Sequence, residues 1–431
     1  MKATSSLSEA FNKRHKMKIS RKIISLAIVL LLIFSVSPAA FAQEILSFSA
    51  NGKIMSVAHD GDTMLYPKNT LAAVSAAFEE GADAVSVSVR KTADGHFVLS
   101  QSDDLGETSL EGKGMLISLL PLSQIVTLHV TDRYSRLSEH LVTELEAVLK
   151  TAVAYDKTVI IDGEWQSRED IYQVICECDA NENAIIRTDA SAKEIADFIS
   201  VTDSACQVIG QYHGNILFGA RSYITNLSSA GCKIIYLGTK NWFGEIFRSP
   251  VLSAFSRSGY AARAAIKAFD MNESGQRADC EESWGDLIDR GYSVIETDRI
   301  ADLIAYTEKI DSERVALREL LENARGTETA FLTAESKSAI KDASDKAEFS
   351  IMTISSFETL SLAKSRLNFA LNNKVLSDSP ENKNEGVLNI TGGKITAVII
   401  AAVAVIAVQI YFYFRQADKK MPRWMKRLLQ K

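Results

Sequence analysis

Between residues 51 and 308, short β-branched runs alternate with helical stretches, and this alternation restricts the chain's architecture more than any other feature. Nine runs read as strands: Ile54–Ala58, Ala84–Val89, Phe97–Ser100, Thr158–Asp162, Ala184–Arg187, Gln207–Gly210, Lys233–Leu237, Ala264–Phe269 and Ser293–Thr297. Helical patterns fall between most of them. Asn69 to Glu80, for example, opens on a capping Asn and stops at Gly81. Repeated β-then-α units imply a parallel sheet, and about 255 residues suits a TIM (β/α)8 barrel. Such a barrel needs eight strands, so one of the nine runs is expected to be an extra hairpin arm.

Residues 312–375 lack both strand-like alternation and proline. Amphipathic segments near Ser312–Arg325, Thr333–Phe349 and Ser356–Asn373 predict a small three-helix module. Leu317, Leu320, Leu321 and Ala324 share one helical face, and Leu360, Ala363, Leu367 and Leu371 share another. The module resembles the helical repeats of Gram-positive surface proteins. Residues 377–393 read as a polar linker.

The ends of the chain read as membrane-directed. Residues 1–22 hold seven Lys and Arg against Glu9, an apolar run from Ile23 to Val36 follows, and Ala40-Phe41-Ala42 completes a cleavage pattern. Residues 1–42 are therefore expected to be a signal peptide, with Met17 an alternative start, and an uncleaved anchor helix the competing reading. Residues 395–414 carry no charge over a length that crosses about 30 Å of hydrocarbon as a helix. The tail 415–431 then holds seven Lys and Arg against Asp418, which predicts a single-pass cell-membrane protein with an extracellular ectodomain and a cytoplasmic tail. Between 23 and 414 there remain 34 Lys and Arg against 52 Asp and Glu, so the net −6 of the chain conceals −18 in the middle. That balance argues against a nucleic-acid partner. The five cysteines form no C-x-x-C pair, so no zinc site or disulfide set is signalled and buried thiols are expected.

Val57-Ala58-His59-Asp60-Gly61, Pro67-Lys68-Asn69-Thr70-Leu71 and Glu80-Gly81-Ala82-Asp83-Ala84-Val85 together resemble the glycerophosphodiester phosphodiesterase family. The likeness continues through Lys91 to Leu99 and Leu110 to Gly114, and returns at Gly291-Tyr292-Ser293-Val294-Ile295-Glu296-Thr297-Asp298, so it covers roughly 54–308. The resemblance implies a TIM barrel that hydrolyses glycerol phosphodiesters, with a divalent cation held by carboxylates and two histidines moving protons. It places His59 as the retained catalytic histidine and Lys68, Asn69 and Thr70 as substrate contacts.

Elsewhere the family pattern is broken. Asp60 stands where an Arg would follow the first histidine, and Lys68 replaces the Glu before Asn69-Thr70. Ser86 and Ser88 occupy the lost metal-ligand pair E-x-D, Gln101 and Ser102 replace the second His-Asp, and Asp162-Gly163-Glu164 falls on a later E-x-K pair. Only Asp162 is left there as a metal ligand. Serine hydroxyls are poor ligands for a hard cation, and Gln transfers no proton at neutral pH. Asp60 and Glu164 in place of cations are expected to make the mouth more negative and to repel phosphate.

The pattern therefore predicts a cell-surface pseudo-enzyme that binds a glycerophosphodiester, a cell-envelope ligand or a partner. One alternative is an active phosphodiesterase with altered ligation of Ca²⁺ or Mg²⁺, in which Asp60, Asp62, Asp103, Asp104, Asp162 and Glu164 gather at the mouth. Another is a structural display module. No cofactor is assigned unless the site is active. His96, His129, His140 and His213 are expected in surface or packing roles, and Trp165, Trp242 and Trp284 in the core.

Overall fold

The computed structural model describes residues 53–202, 205–213, 220–238, 263–267, 279–327 and 329–377. Eight parallel strands close on themselves: β1 (Met55–His59), β2 (Ala84–Lys91), β6 (Thr158–Asp162), β7 (Ala184–Thr188), β8 (Gln207–His213), β9 (Ile234–Gly238), β10 (Arg263–Lys267) and β11 (Tyr292–Thr297). β1 pairs with β11 on one side and β2 on the other, which completes the barrel. The ninth run, β3 (Phe97–Leu99), is the extra hairpin arm, antiparallel to the end of β2. A second antiparallel hairpin, β4 (His129–Thr131) with β5 (Leu137–Leu141), was not among the sequence-derived strands. Its exposed leucines at 137 and 141 alternate with Ser138 and His140, too short a pattern to stand out.

α1 (Leu71–Glu80) follows β1, α2 (Leu145–Tyr155) precedes β6, and α3 (Arg168–Glu177), α4 (Ala192–Val201), α5 (Ala220–Ser229) and α6 (Glu281–Asp289) cover further strands. The cap of α1 falls one residue later than expected. Thr70 in extended conformation accepts the Ala73 N–H, whereas Asn69 takes a left-handed φ of 55° in the loop before it. Gly81 closes the helix at φ 107°, as its place after Glu80 predicts.

Strand parity sorts the barrel interior into layers. Met55, Val57, Ala84, Ile160, Ile185, Ile209, Ile234, Tyr236, Ala265 and Val294 form one buried cluster. Adding two residues along the strand from Val57, Ala84, Ile160, Ile185, Ala265 and Val294 reaches His59, Ser86, Asp162, Arg187, Lys267 and Glu296. The apolar layer thus supports a polar one at the C-terminal ends of the strands, where barrels of this class carry their sites.

The outer core continues into three long helices, α7 (Ile300–Gly326), α8 (Ala334–Met352) and α9 (Phe357–Asn372). The segment expected to begin at Ser312 is the second half of α7, which starts at Ile300. Neither Gly nor Pro occurs from 300 to 325, so nothing ends the helix between barrel and module. Its first half buries Ile300, Leu303 and Tyr306, and its second half buries Leu317, Leu321 and Ala324. Asp289, the last residue of α6, accepts hydrogen bonds from Ser356 N–H, Ser356 Oγ and Thr359 Oγ1, each 2.8 Å. The Tyr306 hydroxyl donates to Glu358 at 2.8 Å. Gly285 in α6 admits this approach, since a Cβ there would sit 2.7 Å from the Tyr306 hydroxyl.

The expected signal peptide 1–42, all but the first residue of the linker 377–393, the apolar segment 395–414, the tail 415–431 and Trp242 lie outside the described residues. Among the described residues no helix is long and apolar enough to cross a membrane. Cys206 and Cys232 are buried, their thiols pushed up to about 12 and about 11 by desolvation. Cys176 departs from the expectation of burial, because α3 presents it to solvent. Trp284 is fully buried and Trp165 packs on Phe198 with ring centroids 5.4 Å apart.

Candidate functional site

His59 ends β1 with its ring half-buried at the barrel mouth. Its Nδ1 lies 2.9 Å from Asp298 Oδ1, and its Nε2 lies 3.8 Å from Asp60 Oδ2. Asp298 follows β11 directly, and Asp279 accepts its backbone N–H. Burial alone lowers the histidine's pKa. The Asp298 hydrogen bond and the charges of Asp60 and Glu296 outweigh it, and the net shift is upward. The proton belongs on this ring in the folded state more than it does in the unfolded chain.

Asp60 turns the chain sharply after β1. It adopts φ 57°, and Gly61 follows at φ 92°, where a Cβ would meet Ala73 at 2.6 Å. The turn buries the Asp60 side chain, and desolvation raises its pKa against the opposing charges of His59 and Lys68. Gln101 Nε2 donates to Asp60 Oδ2 at 2.6 Å, and Lys68 Nζ donates to Gln101 Oε1 at 2.8 Å. The residue in the second histidine's position is therefore a clasp between a cation and a carboxylate. The fold brings His59, Asp60, Gln101 and Lys68 together.

Two of the expected substrate contacts spend their polar atoms on the fold. Asn69 Oδ1 accepts the Ser88 N–H at 3.2 Å, and Thr70 Oγ1 donates to Pro67 O at 2.7 Å while capping α1. Lys68 remains exposed apart from its bond to Gln101. Ser86 is buried and donates to Glu296 Oε1 at 2.6 Å, while Ser88 is half-buried one register step beyond.

The group that dominates the interior is one the sequence reading missed. Arg187 on β7 is fully buried. Its Nε donates to Asp162 Oδ1 at 2.5 Å, its Nη2 contacts Asp162 Oδ2, and its Nη1 donates to Glu296 Oε2 at 2.5 Å. The guanidinium carbon stands 4.5 Å from the centre of the Tyr236 ring. Glu296, also fully buried, lies 3.8 Å from Lys267 Nζ. Desolvation would raise the Glu296 pKa, but Arg187, Lys267 and His59 overcome it and hold the carboxyl far below the usual range. Arg187 is held in turn above its ordinary value by the two carboxylates, against desolvation.

This overturns the expected electrostatics. Among the described residues Arg187, Lys267 and Lys68 supply cations beside Asp60, Asp162 and Glu296, and His59 faces Asp298, so these acids are met by basic groups. Glu164 is exposed in the loop after β6. The acidic residues expected to gather do not: Asp62 accepts the Met64 N–H, Asp103 binds Ser118 and Asp104 caps a short turn. Among the described residues no three His, Cys, Asp or Glu side chains form a group able to hold a metal ion. The donors present do not fit a divalent cation, because Asp162 and Glu296 are both engaged by the guanidinium and Ser86 donates to Glu296. Of the other histidines, His129 meets Glu111 and His140 stacks edge-on against Tyr66.

Comparison with known proteins agrees with this barrel. Residues 59–204 match the model of the glycerophosphoryl diester phosphodiesterase family. A Mycobacterium tuberculosis protein named "Probable glycerophosphodiester phosphodiesterase 1" is 41% identical over 85 residues, which is 20% of this chain and 29% of that protein. The human glycerophosphodiester phosphodiesterase 1 is 32% identical over 126 residues, 29% of this chain and 37% of its own length. The matches thus span little more than a third of either relative at most. A glycerophosphoryl diester phosphodiesterase from Parabacteroides distasonis superposes with a TM-score of 0.50 at 16% identity, covering 61% of this chain and 90% of that structure, which supports the fold.

Proposed function

Residues 59–204 belong to the glycerophosphoryl diester phosphodiesterase family, and from that premise we propose that this barrel is a catalytically impaired, ligand- or partner-binding member of it. The observation that carries the reading is the Lys68–Gln101–Asp60 clasp. General acid–base hydrolysis of a phosphodiester needs one group to take a proton from the attacking oxygen and another to give one to the leaving oxygen. His59 stands at the end of β1, and Gln101, where the second histidine would stand, is an amide fixed by two hydrogen bonds. Ser86 and Ser88 add no charge to stabilise the phosphoryl oxygens.

What the mouth retains suits recognition. Lys68 is exposed at the rim, and His59, whose pKa is raised, stands at the end of β1. Both complement a phosphodiester without activating it. The basic and apolar ends of the sequence support a cell-surface placement, with residues 395–414 in the membrane and the barrel outside.

A second reading, an active phosphodiesterase, is favoured by the 2.9 Å contact between His59 and Asp298, which orients the ring as a base would need. Release of glycerol 3-phosphate from glycerophosphocholine by the full chain separates the two, measured with Ca²⁺, Mg²⁺ or EDTA beside His59→Ala. The proposal expects no release above that control. Turnover that His59→Ala abolishes would overturn it.

A further inference from the structure

We infer that the guanidinium of Arg187 is the barrel's own resident cation, standing where the architecture otherwise calls for a divalent metal ion. The argument begins with the carboxylates. Replacing an E-x-D pair by Ser86 and Ser88 removes acid from β2, but the structure does not leave the place without it. Glu296 reaches from β11 to within 2.6 Å of Ser86 Oγ, so a carboxylate again occupies the space beside position 86. Asp162 supplies the second, from the end of β6. Two carboxylates at the strand ends with an adjacent hydroxyl make a hard-cation donor set, and a carboxylate as buried as Glu296 demands a counter-charge.

Arg187 meets that demand from β7, beside its register partner Asp162 on β6 and across the barrel from Glu296. Three of its nitrogens face the two carboxylates, Tyr236 covers its face, and no part of the side chain reaches solvent. A guanidinium is planar, permanently charged and able to satisfy carboxylates on two edges at once. Together with Lys267, 3.8 Å from Glu296, it matches the charge of the pair as a divalent ion would, without dissociating. The barrel centre is closed to divalent cations by its own side chain, and its integrity is independent of metal supply.

The inference stands apart from the loss of hydrolysis. Turnover of a phosphodiester in EDTA would overturn the proposed function and leave this inference intact. It predicts that removing the guanidinium uncovers a cation site. Thermal unfolding of the full chain is followed in CaCl₂ against KCl of matched ionic strength, for the native sequence, Arg187→Ala, Arg187→Lys, and Arg187→Ala combined with Asp162→Asn or Glu296→Gln. The native chain and Arg187→Lys are expected to be indifferent to Ca²⁺. Arg187→Ala is expected to gain on the order of 2–4 °C or more, saturably, or to regain folding in CaCl₂ alone. Either second substitution should abolish that response. A Ca²⁺ response of the native chain that Asp162→Asn removes would overturn the inference. So would an Arg187→Ala chain that Ca²⁺ neither shifts nor restores.

Discussion

Replacing Arg187 by Met tests how the buried charges are held. Met keeps most of the apolar stem and removes the guanidinium, leaving Glu296 fully buried with Lys267 at 3.8 Å and the Ser86 hydroxyl. Removing one partner of a buried ion pair costs about 3–5 kcal/mol, because the remaining charge is desolvated and uncompensated. Lys267 survives and Asp162 is partly exposed, so the lower end, about 3 kcal/mol, is expected for Arg187→Met at pH 7. The assay is the urea midpoint of the full chain at fixed m, repeated at pH 4 and pH 7. In the native protein Glu296 is held below its ordinary value, so its contribution is present above about pH 4.5 and is lost as the pH falls. In Arg187→Met, burial dominates and pushes the same carboxyl upward, so stability is kept in acid and lost as the pH rises. The two proteins should therefore differ most at neutral pH and converge toward pH 4. Adding Glu296→Met should recover most of the loss. A cost below about 1 kcal/mol, or an equal cost at both pH values, would refute the reasoning.

Three further outcomes are expected. Asp298→Asn should lower the His59 pKa, read from its ring resonances in an NMR titration. Because the folded pKa is raised, the histidine's stabilisation is complete below about pH 6.5 and lost as the pH rises, and that dependence should flatten in the variant. Gly61→Ala forces φ 92° on an L-residue and sets its Cβ 2.6 Å from Ala73, so a loss on the order of 1–3 kcal/mol is expected in the same urea assay. Asp289→Ala removes the acceptor for three hydrogen bonds at the start of α9, and about 1–2 kcal/mol with faster hydrogen exchange across 357–372 should follow, while the barrel strands keep their protection.

The barrel was legible because each strand is a β-branched run bounded by turn residues, and the helices between them carry their own stops. Gly81 ends α1 for a reason local to one residue, so sequence alone locates it. The start of α7 depended on something less local. Lys309-Ile310-Asp311-Ser312-Glu313 has the composition of a helix start, with a hydroxyl cap and an acid after it. Ser312 instead donates to Glu308 O within a continuous helix, since the preceding turn is already formed against the barrel through Leu303 and Tyr306. Tertiary packing overrode a local signal that is sound in isolation.

At the site, the residues carried by motif were found and those carried by topology were not. His59, Lys68 and Gln101 lie near one another in recognisable runs. Arg187 and Glu296 are 109 positions apart, on strands that are not neighbours, and meet only because the sheet closes. Half of the signal was nonetheless present. Stepping by two from Ile185 puts Arg187 inside the barrel, and stepping by two from Val294 does the same for Glu296. A charged residue at an inward position of a strand needs a partner of opposite charge, because leaving it uncompensated costs several kcal/mol. Strand parity therefore requires that Arg187 and Glu296 each have an interior counter-charge. The closure of β1 onto both β11 and β2 then decides that they meet each other, whereas Asp162 meets Arg187 as its register partner on the neighbouring strand.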